Sequence, residues 1–232
     1  MAVVHNTTMT PGKLELLASW LPSQPWYVGT GREPDLSRAG GFRLDDPQGE
    51  VGIEFMVVTD RSGDRPVSYH VPLSYRGAPL DGADEGLIGT SEHEVLGRRW
   101  VYDGTHDPVV VAQLLALFQG RAEPQAQNAT DTRDASVTAH FTGTAFPTEA
   151  GPTAVVNGPD GTHLVLAPEP GADPDTTPPV LPTLRLTRVL AADHRPPAQA
   201  PAEPHGHLTA PWRLPDGTET RALFATLHPP TP

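Results

Sequence analysis

The sequence predicts an α+β protein, with an antiparallel sheet and two helices in the N-terminal half and a mostly-β C-terminal half. Short stretches with the alternating pattern of strands recur throughout the chain, whereas apolar residues at helical spacing occur only in two segments of the first half. Nine of the 28 prolines fall in residues 1–122 and nineteen in the remaining 110 residues. This shift predicts a domain over residues 1–122, a linker over 123–135 and a Pro-rich β-module over 136–232.

The first predicted element is a helix. Thr10 supplies a hydroxyl cap and Pro11 takes the first helical position, after which leucines recur at helical spacing until Pro22 ends the helix. Residues 26–29 and 41–46 are short strand candidates between Gly/Pro turns.

A hairpin follows. Residues 51–59 and 67–75 both alternate, and 61–64 forms the turn between them, which indicates two antiparallel strands. The first strand is apolar on both faces, so its second face is expected to be partly covered. Pro72 cannot donate to a ladder, which places the second strand at an edge or a bulge.

The first half ends with a strand and a helix. Residues 95–102 carry apolar side chains on one face and Arg99 on the other. Asp107 then caps a helix with Pro108 at its first position, and Gly120 closes it.

The second half shows strand patterns without a helical one. Residues 122–135 are polar and aperiodic, as in a linker or an exposed loop. Six strands are predicted over residues 136–146, 153–158, 162–168, 183–190, 208–215 and 220–229. The Pro-rich stretches 168–182 and 196–204 are expected to be exposed loops. Whether the two halves share one sheet stays open.

Several pieces of the first half resemble the N-terminal cap of actinobacterial maltokinases. They are GKLELLASWLPSQPWY, GGFRLDDPQGEVGIEF, VPLSYRGAPL, LIGTSEHEVLGRRWVYDG and HDPVVVAQLLAL, in this order over about residues 1–121. The resemblance implies a curved antiparallel sheet with helices packed against it. A chain with fifteen arginines and one lysine agrees with a GC-rich, actinobacterial source.

Kinase chemistry is not expected from this sequence, although the cap precedes a kinase in that family. Lys13 is the only lysine and lies in the first predicted helix. There is no GxxxxGK[ST], no glycine-rich phosphate loop and no catalytic-loop Asp with a downstream Asn. We therefore predict no catalytic residue and no cofactor.

Metal binding is not expected either. The chain has no cysteine. His205 and His207 alternate near Glu203, so they could share a metal, but the segment is Pro-rich and offers no clear third ligand. Residues 92–94, Glu-His-Glu, lack the HExxH spacing.

One group of residues could bind a small ligand. It consists of Tyr75, Arg76, Arg98, Arg99 and Trp100. Aromatic faces beside planar donors suit sugars, and arginine also suits carboxylate or phosphate. In the alternative, favoured interpretation, Trp100 and Tyr102 belong to the core and the arginines pair with Glu54, Glu92 or Glu94.

Charge and hydropathy limit the partners. The formal net charge is −12, six units from each side of the boundary, without a Lys/Arg cluster. This argues against nucleic acid or an anionic membrane as a partner. No secretory signal and no apolar run of membrane length occur, so the protein is expected in the cytoplasm.

The resemblance implies a non-catalytic accessory or regulatory protein of trehalose, maltose and α-glucan (glycogen) metabolism, which docks on an enzyme of that metabolism. Alternatives are a binding protein for a sugar or sugar phosphate, or part of a maltokinase or aminosugar kinase system with a separate catalytic chain. An enzyme outside the kinase class ranks last, because no convergent titratable set emerges.

Overall fold

The computed structural model describes residues 9–143, 150–168, 182–191 and 204–229. Two α-helices occur in these ranges, α1 (Lys13–Trp20) and α2 (Pro108–Phe118), with short 3₁₀ turns at Leu21–Ser23, Asp84–Gly86 and Gly104–His106. The strands are β1 (Met9–Thr10), β2 (Leu36–Leu44), β3 (Gly52–Asp60), β4 (Val67–Arg76), β5 (Leu87–His93), β6 (Gly97–Asp103), β7 (Gln125–Ala126), β8 (Thr138–Phe141), β9 (Ala150–Gly158), β10 (Gly161–Pro168), β11 (Thr183–Leu186), β12 (Val189–Leu190), β13 (Gly206–Arg213) and β14 (Glu219–His228).

All of these strands belong to one antiparallel sheet. The main order is β1-β5-β6-β4-β3-β2-β13-β14-β11-β10-β9, while β7 pairs with β2, β8 with β13 and β12 with β4. The fold is therefore broadly α+β, mostly antiparallel sheet with two short helices, as the sequence predicts. The two halves share this sheet. The predicted boundaries at residues 122 and 135 remain a prediction.

The seam between the halves depends on a glycine. Gly40 in β2 lies opposite Trp212 in β13, and the register of β2 shifts between Arg38 and Gly40. A Cβ on Gly40 would lie 3.2 Å from Cα of Trp212, and its φ of 151° disfavours other residues. The close approach lets the buried Trp212 ring join the core.

The β3–β4 hairpin is the centre of the fold and is confirmed. Its strands pair from Gly52 opposite Tyr75 to Asp60 opposite Val67. Both faces of β3 are buried, as the sequence indicates. Met56, on one face of β3, packs in the cluster that includes residues of α1. Phe55, on the other face, packs in the cluster that includes residues of α2 and of the second-half strands.

The core under α2 draws on both halves. Phe42 and Phe55 stack with ring centroids 4.6 Å apart, and Phe224 of β14 lies 6.3 Å from Phe42. Leu115 of α2 is fully buried in the same cluster. Apolar burial therefore joins residues far apart in sequence, as in a single core.

The second helix forms as predicted. Asp107 accepts a hydrogen bond from the backbone N–H of Val109 at 2.9 Å, and Pro108 takes the first helical position. Gly120, just beyond the helix, has a φ of 68°, which glycine tolerates best.

The predicted start of the first helix is wrong. Thr10 belongs to β1 and lies opposite Glu92, so it pairs with β5 and cannot cap a helix. The helix begins at Lys13, and the backbone N–H of Gly12 donates to the Glu15 carboxylate at 2.6 Å. The predicted end is confirmed, because α1 stops before Pro22.

The strand prediction for residues 26–29 is also wrong. This segment is irregular, and its buried Trp26 ring packs edge-on against Trp20 at 5.7 Å. The N–H of Val28 donates to the hydroxyl of Tyr69 at 3.1 Å, which replaces a ladder bond. The strand expected near residues 41–46 instead runs as β2 from Leu36 to Leu44.

The edge prediction for Pro72 is corrected by the topology. Strand β4 lies inside the sheet, and Pro72 is buried opposite Phe55. In the described residues, the outer side of β4 is shared by β6, which pairs from Leu73 onward, and β12, which pairs at residues 68–69. Pro72 lies in the gap between them, so its missing N–H removes no ladder bond.

The six strands predicted for the second half all contain strand structure. The segment 183–190 divides into β11 and β12 at Thr187 and Arg188. The segment 122–135 includes β7, which pairs with β2. Residues 169–181 and 192–203, which hold most of the Pro-rich stretches, lie outside the described residues.

Candidate functional site

The five residues predicted to bind a ligand lie on β4 and β6, but the strands divide them between two faces. Arg76 lies opposite Trp100, and Tyr75 lies opposite Val101. Since successive side chains of a strand point to opposite faces, Arg76, Arg98 and Trp100 share one face. Tyr75 and Arg99 belong to the other face. The fold therefore brings together three of the five.

Arg76 is engaged by a buried carboxylate. Its Nε and Nη2 donate to Oδ2 and Oδ1 of Asp107, both at 2.6 Å. Asp107 is fully buried and also caps α2. The hydrogen bonds to Asp107 raise the pKa of Arg76. The bidentate pair ties β4 to α2, so Arg76 has a structural role in this arrangement.

Tyr75 belongs to a second polar centre, around Glu54. Its hydroxyl donates to Oε2 of Glu54 at 2.7 Å, while Lys13 donates to the same oxygen at 2.5 Å. The other oxygen, Oε1, accepts from Arg38 at 2.9 Å and from Gln127 at 2.8 Å. The Nζ of Lys13 also lies 4.8 Å from the centre of the Tyr75 ring.

Glu54 stays charged in this centre. Its side chain is only 3% exposed, and burial alone raises a carboxyl pKa. The charge and hydrogen bond of Lys13, the charge of Arg38 and the hydrogen bond of Tyr75 outweigh burial and lower the pKa of Glu54 to about 2. Burial and the nearby Glu54 charge raise the pKa of Tyr75 well above its usual value. Neither group is suited to proton transfer near neutral pH.

The accessible part of the predicted surface is on the β5–β6 hairpin. Arg98 donates to Glu92 at 2.7 Å, and the two side chains are 61% and 59% exposed. Nη2 of Arg99 donates to the carbonyl of Leu96 at 2.7 Å. Trp100 is half-buried. Ligand binding by this group stays a prediction.

The structure agrees in part with the interpretation that the aromatic residues belong to the core and that the arginines pair with glutamates. Tyr102 is buried, and its hydroxyl accepts a hydrogen bond from the N–H of Leu80 at 2.8 Å. Arg98 pairs with Glu92, as that interpretation proposes. Glu54, in contrast, pairs with Lys13 and Arg38 instead of Arg98 or Arg99.

A buried arginine that the sequence analysis did not identify joins the two halves. Arg188 is fully buried, and its Nη2 donates to Oδ2 of Asp103 at 2.5 Å. Its Nε donates to the hydroxyl of Thr162 at 2.7 Å, and its guanidinium lies 5.0 Å from the Trp26 ring. Asp103 is also 1% exposed, so the pair is shielded from water.

A signal for this arginine exists in the sequence. Leu184, Leu186, Arg188 and Leu190 alternate, and all four are buried. An arginine at an inward position of an alternating strand needs a buried partner. The identity of that partner, Asp103, depends on a contact across 85 residues.

His70 lies beside this pair and is neutral. It is fully buried, its Nδ1 is 3.1 Å from the carbonyl of Thr187, and its ring centre is 4.4 Å from that of Phe224. Burial and the nearby charge of Arg188 lower the pKa of His70 to about 3. A histidine in this environment is an unsuitable base near neutral pH.

The metal-type side chains and one cavity bear on what a metal ion or a sugar requires. In the ranges that the structure describes, no group of three or more His, Asp or Glu side chains could hold a metal ion. A cavity beneath α2 has a volume of about 10 Å³. Its lining is mostly apolar and includes Phe55, Pro72, Val111, Leu114 and Leu186. This volume is comparable to one water molecule, so a sugar does not fit.

The helices of the described residues also bear on membrane insertion. None of them is long and apolar enough to cross a membrane.

Comparison with known proteins identifies one segment. Residues 20–107 match the family model of the maltokinase N-terminal cap domain. No curated protein matches the chain. The match runs from the last residue of α1 to the N-cap of α2. It therefore includes the β3–β4 hairpin and the β5–β6 hairpin. The resemblance predicted for residues 1–121 is thus confirmed over residues 20–107, and this segment is maltokinase N-terminal cap-like.

Proposed function

We propose that the protein is a non-catalytic accessory or regulatory protein of trehalose, maltose and α-glucan metabolism that docks on an enzyme of that metabolism. The match of residues 20–107 to the maltokinase N-terminal cap domain carries this proposal. A domain that accompanies a kinase in one family can act beside a separate enzyme in another protein. A maltokinase is the first partner to test.

The state of the polar groups supports docking over small-ligand binding. Arg76 is committed to Asp107, and the hydroxyl of Tyr75 to Glu54. A sugar would have to compete with these short, charge-assisted bonds. Arg98 and Arg99 are more accessible, but they belong to opposite faces of the hairpin. Convergent donors, which sugar sites require, are therefore few on either face.

The β5–β6 hairpin has an apolar tip within the matched segment. Val95 and Leu96 are 58% and 44% exposed. Exposed apolar side chains beside polar ones, here the Arg98–Glu92 pair, are common where proteins associate. We propose this tip as part of the docking surface.

The test uses purified proteins. The chain is immobilised, and a purified maltokinase and other enzymes that act on trehalose, maltose or α-glucans are passed over it in biolayer interferometry. We expect saturable binding by one of them, together with a change in its rate when the chain is added. The double variant Val95→Ser/Leu96→Ser should weaken that binding at least about tenfold, since interface anchors contribute more than about 1 kcal/mol.

The matched control is Val156→Ser/Val165→Ser. These valines are 56% and 51% exposed but lie outside the matched segment, so the control should bind like the unaltered chain. The proposal fails if no enzyme of the panel binds or responds. Calorimetry with maltose, trehalose and sugar phosphates should be flat; heat that disappears in Arg98→Gln would favour the sugar-binding alternative.

A further inference from the structure

Strand pairing in the second half brings together two histidines that are far apart in sequence. His140 of β8 lies directly opposite His207 of β13. Both side chains are exposed, and their ring centres are 5.2 Å apart. We propose that this cross-strand pair is a binding site for a divalent transition metal of the Zn²⁺ or Ni²⁺ type.

The ring separation fits a shared metal. A bond of about 2.0–2.1 Å from nitrogen to zinc places the centre of each imidazole about 3.2 Å from the ion. Two such rings at the tetrahedral angle have centres about 5.2 Å apart. The observed separation is the same, and the rings are inclined by 41°. Small rotations about the side-chain bonds would bring both nitrogens to one ion.

The backbone holds the two strands in this register. On one side of the pair, the hydroxyls of Thr138 and Thr209 are hydrogen-bonded at 2.7 Å. On the other side, the N–H of Thr142 donates to the carbonyl of His205 at 2.7 Å. Gly206 permits the close approach, because a Cβ there would lie 3.1 Å from the carbonyl oxygen of His140. The rings are therefore held close together before a metal binds.

The nitrogens of both rings are available. In the part of the chain that the structure describes, neither His140 nor His207 makes a hydrogen bond or an ion pair through its ring. No third metal-type side chain completes a cluster among the described residues. Water fills the remaining positions in solution, so the bound metal exchanges readily.

The pair differs from the one that the sequence suggests. Alternation along one strand groups His205 with His207, whereas the sheet register groups His140 with His207. A metal on the cross-strand pair joins β8 to β13, two strands separated by 64 residues between Phe141 and Gly206. The bound metal should therefore stabilise the attachment of β8.

The test is metal binding by the full, untagged chain. Zn²⁺ and Ni²⁺ are titrated separately by calorimetry, and one metal per chain is expected. At a metal concentration about tenfold above Kd, the melting temperature should rise by about 3–5 °C. His140→Ala and His207→Ala should each lower the metal affinity at least ~10-fold. Groups that only hydrogen-bond to a metal ligand already contribute ~10–100-fold, and these two histidines would bind the metal directly.

The control is His163→Ala. His163 lies on the same face of the sheet, because the register runs from His163 through Arg185 and Thr226 to His207. It lies opposite Arg185 and Val156, with no histidine beside it, so its loss should leave the affinity unchanged. NMR of the unaltered chain provides a second measurement, in which the ring signals of His140 and His207 should shift together on adding Zn²⁺. The proposal is overturned if both alanine variants bind metal like the unaltered chain, or if His205→Ala abolishes binding while His140→Ala does not.

Discussion

Two arginine–carboxylate pairs in this protein have the same chemistry and opposite surroundings. Arg98 and Glu92 pair across the β5–β6 hairpin, where both are about 60% exposed, at 61% and 59%. Arg188 and Asp103 pair at the junction of the two halves, with 0% and 1% exposure. Arg98 of the exposed pair belongs to the group predicted to bind a ligand, whereas the buried pair was identified only from the fold.

Exposure to water separates the ion pair that can engage a ligand from the ion pair that stabilises the fold. An exposed ion pair contributes about 0–1 kcal/mol, so Arg98 can leave Glu92 for a ligand or a partner at low cost. A buried pair behaves differently, because removing one member leaves the other charged and without water. Arg188 and Asp103 are therefore unavailable for binding.

Arg188→Met should cause the largest effect on stability. Asp103 would remain buried without its cationic partner, which costs about 3–5 kcal/mol. Urea unfolding measured by tryptophan fluorescence at neutral pH gives the change in free energy. The double variant Arg188→Met/Asp103→Leu should recover much of the loss, because no buried charge remains. A loss below about 1 kcal/mol for the single variant would contradict the proposed role of the pair.

His70→Gln should change how stability depends on pH. The pKa of His70 falls from 6.5 to about 3 on folding, so below pH 6.5 the unfolded chain binds a proton that the folded chain excludes. The stability from neutral His70 is complete above pH 6.5 and is lost by about 1.4 kcal/mol per pH unit as the pH falls towards 3.

The measurement is a series of urea unfolding curves from pH 7 to about 4.5, above the range in which carboxyl groups dominate. The free energy of unfolding of the unaltered chain should fall by about 2–3 kcal/mol over this range because of His70. In His70→Gln the total fall should be smaller by the same amount. Equal slopes for the two proteins would contradict a buried neutral histidine.

Glu54→Gln tests a centre in which a buried carboxylate meets partly exposed cations, between the two extremes. The pKa of Glu54 falls from 4.5 to about 2 on folding, so its contribution to stability is present above pH 4.5 and is lost as the pH falls towards 2. Between pH 4.5 and about 3 this loss amounts to about 1.5 kcal/mol. The variant should be less stable at neutral pH, and its free energy of unfolding should fall less steeply below pH 4.5 than that of the unaltered chain. An equally steep fall in the variant and in the unaltered chain would show that Glu54 does not cause this loss of stability.

Arg98→Gln should have the smallest effect. Its pair with Glu92 is exposed on both sides, so the free energy of unfolding should change by no more than about 0.5 kcal/mol. The same urea curves measure it. A loss above about 1 kcal/mol would remove the contrast between the exposed and the buried pair.

Several elements could be predicted because their causes are local. The Asp107–Pro108 start and the Gly120 end of α2 are set by capping and by backbone preferences within a few residues. The β3–β4 hairpin and the strands around residues 157–161 follow from alternation and turn residues. The start of α1 was missed because Thr10, a good cap in isolation, is used by a strand pair with residue 92.

The candidate site was predicted only in part, for a related reason. The sequence predicts that Tyr75 and Arg76 lie on one strand, but it does not show which carboxylate of another element each would contact. The Arg98–Glu92 pair could be predicted from the sequence, because both residues lie in one hairpin. Arg188–Asp103 was not, because its members are 85 residues apart.

The amino-acid sequence by itself determined the α+β class and the cap resemblance, which is now confirmed over residues 20–107. It also determined that Lys13 is the only lysine of the chain. These properties depend on residue identity and on neighbours along the chain. The tertiary structure decided that both halves share one sheet, that Arg188 meets Asp103, and that His140 faces His207. Each of these contacts requires strands to pair across long separations in sequence, and that pairing is set by the burial of the whole apolar core.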